Sequence, residues 1–190
     1  LNSGDKVNLV ATDGTNYDFT NGDQSSVNGT WESATSNNQT ATNLMNVINT
    51  TSGPAGTRFL ASVDGTVAAT ATITISAYTE LNSTDKVNLV AADGTNYDFT
   101  NGDQSSVNGT WESATSNNQT ATNLMNVINT SSGPAGTRFT ATVDGAVVTV
   151  TQATVGTAGN TTVTLTDTGT AGMSKTNFTG GVDYVITITQ

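Results

Sequence analysis

Residues 81–145 repeat residues 1–65 almost letter for letter. At an offset of 80 the two stretches differ at Gly4/Thr84, Thr12/Ala92, Thr51/Ser131, Leu60/Thr140 and Ser62/Thr142, five positions of the 65. Nothing else in the chain constrains its fold as strongly, because two copies of one sequence make two copies of one supersecondary unit. The chain therefore reads as tandem modules. An array of such units points to a spacer, stalk or assembly protein before any residue chemistry is considered.

Within a copy the patterning changes period twice. Val7, Leu9 and Ala11 alternate, Thr12-Asp13-Gly14-Thr15 supplies a turn, and Tyr17 and Phe19 resume the alternation, which predicts a β-hairpin. The second copy uses Val87, Leu89, Ala91, Asp93-Gly94, Tyr97 and Phe99 in the same way. Residues 21–35 are polar, contain Gly22, Gly29 and Trp31, and read as a long loop whose indole either caps the core, the commoner place for a Trp, or sits at an intermodule contact. Ser36 and Gln39 have the spacing of a helix capping box, and Ala41, Leu44, Met45 and Ile48 follow at i, i+3, i+4, i+7. That stripe predicts an amphipathic helix ending before Gly53-Pro54. Ser116, Gln119, Ala121, Leu124, Met125 and Ile128 repeat it.

A second hairpin follows, with Phe59, Ala61 and Val63 before Asp64-Gly65, and Phe139, Ala141 and Val143 before Asp144-Gly145 and a return strand at 146–151. Each copy thus predicts a ββαββ module. The fold class is α+β and β-rich, with one helix packed on a small antiparallel sheet and the modules set in an extended repeat array.

Beyond the second hairpin the copies diverge. The first runs through Ile73-Thr74-Ile75-Ser76 directly into the second, whereas the second carries an extra β segment at 152–181 and then Ile186-Thr187-Ile188-Thr189. The likeness of those two Ile/Thr runs sets the expected domains: module 1 at 1–70 lacking its first strand, module 2 at 71–181, and 182–190 as the opening strand of a following module or a donor strand. Tyr184, Val185, Ile186, Thr187, Ile188 and Thr189 are the candidate assembly strand. An incomplete sheet leaves backbone donors and acceptors that a strand from elsewhere can satisfy. Two suppliers are open: a neighbouring repeat of the same long chain, or head-to-tail complementation between subunits.

Composition narrows the function classes. Apolar residues make up 34% and charged residues 11%, which gives thin cores. Fifteen acids stand against Lys6, Arg58, Lys86, Arg138 and Lys175, and five scattered cations do not neutralise a run of phosphates. Nucleic acid and anionic membrane surfaces are disfavoured as partners, and no apolar run is long enough for membrane insertion. The chain starts at Leu1 and both its ends fall in patterned sequence, which reads as a part of a longer polypeptide.

The Asp-Gly-Thr-x-Tyr-x-Phe hairpin, the Ala-Thr-Asn-Leu-Met-Asn-Val-Ile-Asn helix at 121–129 and the Phe-Thr-Ala-Thr-Val-Asp-Gly hairpin at 139–145 resemble the small motif inserted in flagellins and hook-associated proteins. With Ala158-Gly159-Asn160-Thr161-Thr162 and Asn177-Phe178-Thr179-Gly180-Gly181 downstream, they look equally like Thr-rich repeat modules of phage and virus virion proteins and large bacterial surface proteins. The resemblance implies an exterior structural or adhesive role at an extracellular, cell-surface or virion-surface location. It brings no catalytic residues, and the long terminal heptad helices of flagellin are absent from this sequence.

The chemistry available to an enzyme is narrow. Without His or Cys the usual Ser-His-Asp, Cys-His and zinc arrangements are missing. Asp13 with Asp18, and Asp93 with Asp98, are carboxylate pairs, but Asp beside Gly in a hairpin is ordinarily a turn residue. The chain is read as no enzyme and as having no cofactor. Calcium is the minority reading, resting on Asp13, Asn16, Asp18 and Asp23 and on Asp93, Asn96, Asp98 and Asp103, whose spacing departs from that of a calcium loop.

The expected function is a structural repeat segment of an extracellular fibre, virion appendage or cell-surface filament, assembling with copies of itself or with neighbouring repeats through edge strands or head-to-tail contacts. The alternative is an adhesin module of a tail fibre or surface protein, with Trp31 and Trp111 as candidate contacts to a glycan or receptor.

Overall fold

A computed structural model of the chain describes residues 1–23, 29–34, 36–51, 58–102, 109–131 and 137–190. The chain runs β1 (Lys6–Val10), β2 (Asn16–Asn21), β3 (Thr30–Trp31), α1 (Asn37–Thr51) and β4 (Leu60–Asp64). It continues through β5 (Ala68–Ile75), β6 (Lys86–Val90), β7 (Asn96–Asn101), β8 (Thr110–Trp111), α2 (Asn117–Ser131), β9 (Phe139–Asp144) and β10 (Val147–Val155). It ends with β11 (Val163–Thr166), β12 (Met173–Lys175) and β13 (Val185–Thr189). The fold is α+β and β-rich, in two similar halves with one helix each.

Two compact units result. Unit 1 is Leu1–Thr66 together with Asp183–Gln190, and unit 2 is Val67–Val182. The last segment therefore belongs to the first unit. Unit 2 is inserted, in chain order, between β4 and the strand that closes unit 1.

Local chemistry explains why both copies form the same elements. In each first hairpin the turn glycine has positive φ, 83° at Gly14 and at Gly94, and the preceding aspartate accepts a hydrogen bond from the threonine N–H after it at 3.0 Å. Position 4 of the repeat also needs positive φ. Gly4 supplies it at 90° in unit 1, while Thr84 adopts 82° in unit 2, a strained geometry for a β-branched residue.

The helices start with Ser36 and Ser116, whose Oγ atoms accept from the N–H of Gln39 and Gln119 at 3.1 Å. Only half of the predicted capping box forms. Each glutamine amide turns forward instead, donating to Asn43 or Asn123 one turn on. Thr40, Thr42, Thr50 and Thr51 send their hydroxyls back to carbonyls at i−4, which satisfies the polar side chains of a threonine-rich helix internally.

The polar stretch read as a loop contributes a two-residue strand. β3 runs parallel to β2 with Asn21 opposite Trp31, and β8 does the same beside β7. A buried asparagine holds it there: the side chain of Asn21 bonds the Ser33 N–H and the Asn2 carbonyl, and Asn101 repeats this with Ser113 and Asn82.

The sheets differ between the units. Unit 2 holds two four-stranded sheets, in orders β12-β5-β10-β9 and β11-β6-β7-β8. Unit 1 holds β1-β2-β3 and the pair β13-β4. β4 pairs antiparallel with β13, with Val185 opposite Asp64 and Thr189 opposite Leu60. β9 pairs with β10, with Val147 opposite Asp144 and Thr151 opposite Thr140. Shifted by the repeat offset, the two registers coincide, so Val185-Ile186-Thr187-Ile188-Thr189-Gln190 stands where Val147-Val148-Thr149-Val150-Thr151-Gln152 stands. The terminal glutamines agree in detail. Gln152 donates its amide to the Val90 carbonyl at 2.9 Å, and Gln190 donates to the Val10 carbonyl at 2.7 Å.

The sequence expectation that 182–190 matches the opening Ile73-to-Ser76 strand is thereby corrected: the segment replaces the return strand. Side-chain parity gives the reason. If the chain turned back at Gly65 as it does at Gly145, Ala68 and Thr70 would take the inward places of Val148 and Val150. In β5 the buried residues are instead Ala69, Ala71, Ile73 and Ile75, the opposite parity, and a one-residue slip turns every side chain to the other face. β5 therefore serves unit 2, and unit 1 is closed by a strand whose isoleucines fall on the inward positions.

Candidate functional site

Unit 1 presents the feature that distinguishes it from its near copy. Among the described residues no strand flanks β13 on the edge away from β4, and none flanks β1 on the edge away from β2. In unit 2 the corresponding edges are covered by β5 along β10 and by β11 along β6. Burial follows. Val87 and Leu89 are fully buried, while Val7 and Leu9, the same residues of the repeat, are half-buried. Leu81 is 7% exposed and Leu1 is 79% exposed.

Between the open edge of β13, the start of α1 and β1 lies an apolar cavity of about 300 Å³. Val7, Trp31, Ala41, Leu44 and Ile186 line its floor, with Leu1, Asp5 and Asn37 at its rim. Its counterpart in unit 2 is filled. β5 packs against α2, Ile73 and Ile75 are fully buried, and Tyr78 joins the same core. Asn117, the counterpart of Asn37, fixes this segment by donating to the Ser76 carbonyl at 2.9 Å and accepting from the Tyr78 N–H at 2.8 Å. Gly172 then lies so close to Leu81 that a Cβ there would come within 2.8 Å of the leucine side chain.

A buried carboxylate marks the same contrast. Asp85 accepts from the N–H and hydroxyl of Thr168 at 3.0 and 2.7 Å and from the Asn82 N–H at 2.7 Å. Burial pushes its carboxyl up, but the bonds from Thr168 and Asn82 outweigh it and hold the group below the usual aspartate range. Asp5 keeps the Asn2 N–H at 2.6 Å and stands at the rim of the cavity.

The residues singled out from sequence fall as follows. Tyr184 donates its N–H to the side chain of Asn38, and Val185 to Thr189 form the strand on β4 of the same chain. The structure thus brings the candidate assembly strand into unit 1, opposite Leu60–Asp64. Trp31 and Trp111 are 3% and 0% exposed, and their indole N–H groups donate to the carbonyls of Phe19 and Phe99. Both rings sit in the cores.

The two acids of each pair are held by different partners. Asp13 meets Arg58 at 2.9 Å, and Asp18 bonds Asn8 and Lys6, with Asp93, Arg138, Asp98, Asn88 and Lys86 repeating the arrangement. The Thr15 N–H holds Asp13, and the Asn8 amide holds Asp18, below the usual carboxylate range. Asp103 of the calcium reading lies outside the described residues. Among the described residues no group of three or more acidic, His or Cys side chains is placed to share a metal ion, and no helix is long and apolar enough to cross a membrane.

Sequence reasoning missed the asparagine clamps. Asn49 donates to the Ala61 carbonyl and accepts from its N–H, and Asn129 does the same at Ala141, so the helix closes the far edge of β4 and of β9. The signal was there, as an asparagine on the helix face that also carries Met45 and Ile48. No family model, curated protein or solved structure matches the chain.

Proposed function

We propose that this chain is a structural repeat segment of an extracellular fibre, virion appendage or cell-surface filament, whose modules join through β-strand edges. One observation carries the reading: the same repeat is closed by two different strand sources, a hairpin neighbour at β10 and a segment from the far end of the chain at β13. A module that accepts its closing strand from a distant stretch of polypeptide is suited to strand-sharing assembly. The near identity of the copies supports it, since repeated units add length or valency without new chemistry. The commitment of these acids to arginine, lysine and asparagine partners leaves catalysis little to rest on. The adhesin alternative loses its main candidates as surface contacts, because both indoles are committed to the cores.

The test is an array of this segment in increasing copy number, followed by electron microscopy. The reading predicts rods whose length rises in proportion to copy number. Particles that stay compact as copies are added would contradict it.

A further inference from the structure

We infer that the cavity beside β13 is an acceptor groove for an extended Thr/Ile strand of the β5 type, donated by another repeat of the same kind. This rests on the fibre reading and names the partner of its open edge. What covers the groove is written in unit 2, where nearly the same sequence is covered by residues 70–78.

The register follows by transfer. β5 lies on β10 with Thr74 opposite Val147, Ile73 opposite Val148, Thr72 opposite Thr149, Ala71 opposite Val150 and Thr70 opposite Thr151. An incoming strand of the same sequence would place those residues opposite Val185, Ile186, Thr187, Ile188 and Thr189 of β13. The backbone of β13 is set for this. Asn49 takes both polar groups of Ala61 on the side away from β13, so Ser62 and Thr187 exchange the ladder bonds across the pair. The N–H and C=O of Ile186 and Ile188 then point to the free edge.

The side chains fit as well as the backbone. Residues equivalent to Ile73 and Ile75 would enter the cavity over Leu44, Ala41 and Val7, whose counterparts Leu124, Ala121 and Val87 are fully buried under β5. Asn37 at the rim would hold the turn after the strand, as Asn117 holds Ser76 and Tyr78. Recognition of this kind takes affinity from main-chain bonds and specificity from alternate side chains.

The experiment adds a synthetic peptide with the sequence of residues 68–80 to the whole chain. The expected result is saturable one-to-one binding, slower amide exchange at Ile186 and Ile188, and shifted methyl resonances of Leu44 and Val7. A peptide carrying Ile73→Asp and Ile75→Asp should bind about tenfold more weakly or worse, because it would carry charges into an apolar site. The Asn37→Ala chain, which loses an exposed 3.4 Å bond to Asp183 as well as the rim amide, should keep its fold and bind the native peptide more weakly.

Absence of saturable binding, or equal binding of the two peptides, would overturn the inference. So would a chain that self-associates through β13 and is not released by the peptide, which would give the groove to a second copy pairing edge to edge. Proportional rods without peptide binding would leave the fibre reading standing and remove this groove from it. Peptide binding with compact arrays would do the reverse.

Discussion

Unit 1 and unit 2 share 60 of 65 residues across the repeat, yet Leu89 is fully buried and Leu9 is not, and Asp85 is enclosed while Asp5 stands at a rim. The difference lies outside the repeat. Beyond the repeat unit 2 has β5, β10, β11 and β12, whereas among the described residues unit 1 has β13 alone. Burial is thus a property of the flanking strands as much as of the repeated sequence. A repeat can be correct in every local choice and still be thermodynamically incomplete.

The largest expected effect comes from removing the strand that closes unit 1. A chain ending at Val182 should lose the cooperative folding of unit 1 while unit 2 remains folded, read by amide exchange in the two helices. The expected loss is on the order of 5 kcal/mol, comparable to the whole stability of a small domain. Equal protection of α1 before and after truncation would break the comparison at its root.

Next in size is a matched pair of core truncations. Leu89→Ala should destabilise unit 2 by about 3 kcal/mol, as for a fully buried leucine that leaves a cavity. Leu9→Ala should destabilise unit 1 by less, about 1–2 kcal/mol, because that side chain is only partly buried. Denaturant unfolding of each variant measures both, and equal losses would mean that the edge of β1 is covered in solution.

The smallest effect sharpens the electrostatic side. Asp85→Asn should cost about 1–3 kcal/mol at neutral pH, since the buried acceptor loses charge-assisted bonds, and Asp5→Asn about 1 kcal/mol or less. The sign with pH follows from a folded carboxyl held below the ordinary aspartate value of 3.8. The stabilisation by Asp85 is fully present above that value and is lost as pH falls through the lower folded value. The gap between wild type and Asp85→Asn should therefore close under acid conditions below about pH 4. A gap that persists there would assign the effect to packing.

Much of this fold was legible in the repeat. Ala41, Leu44, Met45 and Ile48 gave the helix and its buried face, and the Asp-Gly turns gave the first hairpins. The capping box was half right, because Gln39 found Asn43 within reach and bonded forward. β3 was hidden because two residues held by the buried side chain of Asn21 leave no periodic trace. The identity of β13 was misread for a different reason. Ile186-Thr187-Ile188 matches the alternation of Ile73-Thr74-Ile75 and that of Val148-Thr149-Val150 equally well, so alternation alone does not choose between them. Gln190 chooses, since Gln152 ends the return strand and bonds the Val90 carbonyl in the way that Gln190 bonds Val10. The open edge was legible only from the flanking sequence, where the first copy lacks an Ile/Thr run like the one that precedes the second, because the residues that cover the edge in unit 2 lie outside the repeated stretch.

The central claim is that residues 185–189 close unit 1 of their own chain. Ser62 and Thr187 face each other across β4 and β13, are both exposed, and stand in a chain without cysteine. Antiparallel partners of this kind lie at a Cα separation of roughly 5.5 Å, within disulfide reach. The Ser62→Cys, Thr187→Cys double variant, oxidised at low and at high protein concentration, should form an intramolecular bond and run as a monomer in both. A ladder of covalent multimers, growing with concentration, would show that β13 closes the unit of another molecule.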